Sequence, residues 1–120
     1  MVDLHLGVVE ARFADLIWEN APISSSALVE LAGEALSWKK STTYTVLKRL
    51  CEKGLFVNDH STVRVVISKE EFRILRGEEL IRQEFDGSLP AFFAAFSKRQ
   101  SLTKEEKAQL VALLTEDEEE

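Results

Sequence analysis

Three stretches with the 3.6-residue apolar period of a helix are followed by two short β-branched runs, and then by three more segments that open on helix caps. That order predicts a mainly α fold with a small β-hairpin: a winged helix-turn-helix over residues 1–68, a C-terminal helical dimerisation region over residues 69–115, and an acidic disordered tail over residues 116–120.

Residues 6–20 place Val9, Phe13, Leu16 and Ile17 at helical spacing, and Asn20, Ala21 and Pro22 end the helix. Trp18 reads as a bulky core anchor. After Pro22, Ser24 or Ser25 caps a second helix with Leu28, Val29, Leu31 and Ala32 on its apolar side, and Gly33 weakens its end. The third helix, residues 37–54, is the one the chain is organised around. Thr43, Val46, Leu47 and Leu50 fall on one narrow arc, while Ser41, Tyr44, Thr45, Lys48 and Arg49 lie opposite. Gly54 closes it.

Beyond Gly54 the period becomes extended. LFVND and VRVVIS form a hairpin around Asp59, His60, Ser61 and Thr62, with His60 at its tip and Arg64 beside it. Ser68 and Glu71 make a capping box for a fourth helix carrying Phe72, Leu75, Leu80, Ile81 and Phe85. Gly87 ends it, and Ser88 caps LPAFFAAFS, with Phe92, Phe93 and Phe96 packed into five residues. Thr103 and Glu106 open a last helix with Leu110, Val111, Leu113 and Leu114. These apolar faces have too little chain to enclose them, so a two-fold dimer through Phe72, Leu80, Phe85, Phe92, Phe93, Phe96, Leu110, Leu113 and Leu114 is expected.

The third helix carries five bases (Lys39, Lys40, Lys48, Arg49 and Lys53) against one acid, Glu52, on a chain of net charge −6. A helix built for solubility alone alternates signs, because like charges one turn apart repel. Hydroxyls among lysines and arginines suit phosphates and base edges in a major groove. From this helix alone, DNA reading and an amphipathic helix whose basic end complements its own dipole stay equally open. The order of helices and hairpin favours DNA, with the third helix in the major groove and the hairpin along the adjacent backbone. The expected contact set is Lys40, Ser41, Thr42, Tyr44, Thr45, Lys48, Arg49, His60 and Arg64.

Composition agrees with a globular protein, 45% hydrophobic and 30% charged. The last five residues are all acidic, and without them the chain is close to neutral, so the overall acidity does not oppose nucleic acid. No apolar run approaches a membrane span and the start MVDLHLGVVE is unlike a signal peptide, which predicts a cytoplasmic protein with no membrane insertion. Cys51 is the single cysteine and reads as a buried, inert thiol. With His5 and His60 the only histidines, no metal-ligand spacing exists and no cofactor is expected. No Gly-rich phosphate loop or nucleophilic triad is present, which argues against an enzyme.

Ile17-Trp18, Ser37-Trp38, Thr42, Thr45, Arg49-Leu50, Lys53-Gly54 and the stretch FDGSLPAFFAAFSKRQSLTKEE, in this order, resemble the penicillinase-repressor (BlaI/MecI/CopY) family of winged-helix transcriptional regulators. The resemblance implies a homodimeric transcriptional repressor on inverted-repeat operator DNA. In antibiotic-responsive members a membrane metalloprotease sensor triggers cleavage in the dimerisation region, and the matching bond here is Ala95-Phe96, with Ala95 where the family has asparagine. The copper-responsive branch ends in a cysteine-rich motif that this chain lacks. Thr42 and Thr45 match the family pattern and are the first choices for base or thymine-methyl contacts. Ser41, Tyr44 and Lys48 rest on the wheel alone, and Arg49 acts through phosphate or an intradomain ion pair. Two other readings stay open: a winged-helix protein-interaction module, and a ligand-sensing repressor with a phenylalanine-lined pocket.

Overall fold

The computed structural model describes residues 2–116. Helix α1 (Val8–Asn20) starts after Gly7, whose N–H donates to the Glu10 carboxylate at 2.9 Å. It buries Phe13, Ala14 and Ile17, whereas Val9 is 51% exposed rather than part of the apolar face. Val9 sits in the first turn, and the apolar groups that pack on the core from this end of the chain are Val2, Leu4 and Leu6 of the preceding segment.

A two-residue strand, β1 (Ile23–Ser24), leads directly into α2 (Ser25–Leu36). Ser24 is the N-cap: its Oγ accepts from the Ala27 N–H at 3.1 Å. The helix runs past Gly33 and stops at Ser37, which is left-handed at φ 58°. Helix α3 (Lys40–Glu52) follows, and Gly54 at φ 89° turns the chain out of it.

Strands β2 (Phe56–Asp59) and β3 (Thr62–Val65) pair antiparallel, Asp59 opposite Thr62, with His60 and Ser61 both at positive φ in the tight turn. Strand β1 pairs with β3 through Ile23–Val63 and Ser24–Thr62, so the expected two-stranded hairpin is one side of a three-stranded sheet ordered β1-β3-β2.

The core of this unit contains Phe13, Ile17, Leu28, Leu47, Leu50, Leu55, Phe56 and Val63. Trp18 spans it as an anchor: its Nε1–H donates to the Ile67 carbonyl at 2.9 Å, and its ring lies 5.3 Å from Phe56 and 5.5 Å from Phe72. Phe72, expected at the dimer interface, is therefore part of this core at 3% exposure. It lies in the first turn of α4 (Lys69–Phe85), which Ser68 caps and a Lys69–Asp15 ion pair of 3.0 Å ties to α1.

The chain divides into two compact units, one ending at Gly77 and the next beginning at Glu78. The second holds the end of α4, α5 (Leu89–Arg99) and α6 (Lys104–Glu116). Asp86 and Gly87, both at positive φ, end α4; Ser88 Oγ caps α5; and Thr103 with Glu106 forms a reciprocal capping box for α6, both bonds 3.0 Å. Of the expected acidic tail, residues 117–120 lie outside the described residues.

Candidate nucleic-acid interface

Helix α3 buries Thr43, Val46, Leu47 and Leu50, the arc expected from periodicity, and this fixes what the opposite face presents. Lys40, Ser41, Thr42, Thr45, Lys48 and Arg49 are all exposed. The Thr45 hydroxyl donates to the Ser41 carbonyl at 2.9 Å, which occupies its polar atom with the helix backbone. Thr43 makes the same kind of bond, to Lys39 at 3.2 Å, and in doing so carries a hydroxyl into the core without leaving it unpaired.

Two expected features of α3 change in the structure. Tyr44 is half-buried rather than presented outward, and its hydroxyl donates to the Ser25 Oγ of α2 at 3.2 Å. The bases at the end of α3 are compensated, from outside the helix. Glu10 lies 3.4 Å from Lys53 and 3.7 Å from Arg49, and Lys53 also reaches the His5 carbonyl and, at 4.0 Å, Asp3. A count of charges along one helix misses partners that come from another. Among the described residues, Lys39, Lys40 and Lys48 make no ion pair, so the basic surface narrows to the first part and middle of α3. The Gly7 N–H, aided by Lys53 and Arg49, holds the Glu10 carboxyl below its ordinary 4.5 against a smaller opposing effect of burial.

The β2–β3 turn carries His60 with its side chain 98% exposed. Asp59 stands between the two expected wing contacts, 2.6 Å from His60 Nδ1 and 3.9 Å from Arg64 Nε. The Ser61 carbonyl accepts from the Ser25 N–H at 2.8 Å, tying the turn to the start of α2. Ser25, read from the sequence as an alternative helix cap, and Ser61, read as a turn residue, are thus joined to each other; the cap itself is Ser24.

Helix, turn, helix and three-stranded wing occur here in one unit, with a hydroxyl-rich basic face on the second helix of the motif. The penicillinase repressor family model matches residues 6–116. The chain belongs to the penicillinase repressor family. Its members are DNA-binding transcriptional regulators that repress, and not enzymes. No curated protein matches the chain.

In this family member, the second unit presents apolar side chains in quantity. No residue of α5 or α6 is buried; Leu89 is 49% exposed, Phe96 39%, Leu113 63% and Leu114 70%. The phenylalanines pack on one another, Phe92 lying 5.4 Å from Phe85, 5.7 Å from Phe93 and 5.8 Å from Phe96. Ala95 and Phe96, both exposed, lie inside the helical span of α5. Cys51 is half-buried, and burial pushes its thiol above its ordinary value. Among the described residues no group of three His, Cys, Asp or Glu side chains could hold a metal, and no helix is long and apolar enough to cross a membrane.

Proposed function

We propose that the protein acts as a homodimer on inverted-repeat operator DNA, with α3 in the major groove and the β2–β3 wing along the adjacent backbone. The observation that carries this reading is the exposed face of α3: Lys40, Ser41, Thr42, Thr45 and Lys48 together, with no acid paired to its lysines among the described residues, backed by a fully apolar or satisfied buried arc. Lysines of this kind supply sequence-independent phosphate attraction, and short hydroxyl and methyl groups supply base-edge discrimination. His60 and Arg64 serve as wing contacts to phosphate, with Arg64 leaving Asp59 to make its contact.

The dimer reading rests on the exposed apolar groups of α5 and α6. Burying them against a second copy returns about 25 cal/mol per Å² of apolar surface, and a two-fold pair places two recognition helices on two half-sites. Leu80, Phe85, Phe92, Phe93, Phe96, Leu110, Leu113 and Leu114 are the residues assigned to it; Phe72 is not, since it is committed to the first unit.

Proteolytic release belongs to the same proposal. Cleavage at Ala95-Phe96, triggered by a membrane metalloprotease sensor, would divide the dimerisation unit. A protease binds its substrate extended, so α5 has to unwind before that bond is accessible.

A protection footprint on the DNA upstream of the gene tests the operator reading. The expected result is two protected half-sites related by inversion and spaced by one helical turn or a multiple of it, about 10 base pairs. Uniform weak protection along the fragment would contradict it.

A further inference from the structure

We infer that Tyr44 is a positioning residue, which sets the wing against α3 through Ser25, and that it does not read a base. The inference rests on the DNA-binding reading above for its consequence, though not for its geometry. Tyr44 sits between Thr42 and Thr45 in sequence, on the face expected to meet DNA, yet its ring packs against the core and its hydroxyl donates to the Ser25 Oγ at 3.2 Å. Ser25 is 6% exposed, the bond is part-buried, and its Oγ is reached from α3 alone among the described bonds.

The second half of the connection is backbone. The Ser25 N–H donates to the Ser61 carbonyl at 2.8 Å, and the residue before it, Ser24, pairs with Thr62 in the sheet. Ser25 therefore stands at one junction of three elements: the side chain is held by α3, the backbone starts α2, and the N–H holds the wing turn. His60 and Ser61 occupy positive φ, a conformation that non-glycine residues adopt only when surrounding contacts hold them there. The Ser25–Ser61 bond is such a contact, and Tyr44 fixes the residue that makes it.

A side chain that read a base would alter preference at one operator position, and its loss would add to the loss of a wing contact. A positioning residue behaves differently: without it the wing is no longer held, so removing a wing contact as well changes little. Tyr44→Phe keeps the ring and removes only the hydroxyl. Ser25→Ala removes the partner oxygen from the other side and keeps the backbone N–H, which guards against an effect peculiar to the aromatic ring.

The experiment combines two readings on the full chain: amide hydrogen exchange at Ser25 without DNA, and operator affinity in a cycle with Arg64→Ala. We expect both Tyr44→Phe and Ser25→Ala to speed exchange of the Ser25 amide by roughly tenfold while Phe13 and Leu50 stay protected. Each should weaken operator binding by about fivefold. Arg64→Ala should then cost clearly less in either background than in the unaltered protein, with no new base preference. Unchanged Ser25 exchange, or an Arg64→Ala loss that simply multiplies with the Tyr44→Phe loss, would overturn the inference. If the unaltered protein does not distinguish operator from scrambled duplex, the DNA reading fails, and the exchange result alone decides whether Tyr44 holds the wing.

Discussion

Glu10 of α1 and Lys53 after α3 form an ion pair of 3.4 Å in which the two side chains are only 16% and 14% exposed. The pair closes the far end of α3 onto α1, and it occupies Lys53 with a carboxylate. One Glu10 oxygen, Oε2, is buried without a hydrogen-bond partner among the described residues, and Arg49 lies 3.7 Å from it. Lys53→Met should therefore cost roughly 2 kcal/mol of stability, because it leaves a shielded carboxylate with fewer donors.

Glu10, held first by the Gly7 N–H and then by Lys53 and Arg49, also gives a pH dependence. The Glu10 carboxyl is held below 4.5 in the folded chain, so its contribution is complete above that pH and is lost as pH falls through the lower folded value. Denaturant unfolding at pH 7 and in steps below 4.5 should show stability falling more steeply in the unaltered protein than in Glu10→Gln. Parallel curves would show that Glu10 carries no such linkage.

Lys48 and Lys53 are both basic and both assigned by sequence to one helix, but they should behave oppositely toward DNA. Lys48→Ala should weaken binding to every duplex and reduce the slope of log affinity against log salt by about 0.9 per lost contact, roughly twice that for two chains. Lys53→Ala should lower stability and leave the salt slope unchanged. Titrations at three salt concentrations separate the two.

Thr45 is exposed and its hydroxyl is bonded to the Ser41 carbonyl, so its methyl is the group assigned to a thymine contact. Thr45→Val should keep operator preference, while Thr45→Ser should lose about 0.8 kcal/mol per half-site, the value of one methyl group withdrawn from contact. Competition binding against duplexes with thymine replaced by uracil, which lacks that methyl, checks the assignment: sensitivity in the unaltered protein should vanish in Thr45→Ser.

Leu113 is 63% exposed, so Leu113→Glu removes apolar surface without opening a cavity in the single chain. Sedimentation should give twice the 13.6 kDa chain mass for the unaltered protein and the single mass for the variant, with helix content preserved. The melting temperature of the unaltered protein should rise with concentration, and that of the variant should not.

The parts of the fold legible in the sequence are those governed by local chemistry. The buried arc of α3, the serine and threonine caps at Ser24, Ser68, Ser88 and Thr103, and the reversal at Gly54 all follow from spacing or from a single residue's conformational freedom. What escaped depends on contacts distant in sequence. Strand β1 is two residues long, too short to show a period, and exists because β3 offers it a partner. Phe72 reads as one of several apolar groups on α4, and only the position of Trp18 commits it to the first core. Tyr44 lies on the polar side of the helical wheel and Lys53 reads as one more base of the third helix, but residues 19 positions and 43 positions earlier in the chain claim them.

The most direct test of the central claim is fluorescence anisotropy with a duplex from upstream of the gene, titrated beside a scrambled duplex at about 150 mM salt, where non-specific binding is weak. A dimeric operator-binding repressor should prefer the upstream duplex by about 1,000-fold or more, saturating at two chains per site. Equal, feeble binding to both duplexes would contradict it.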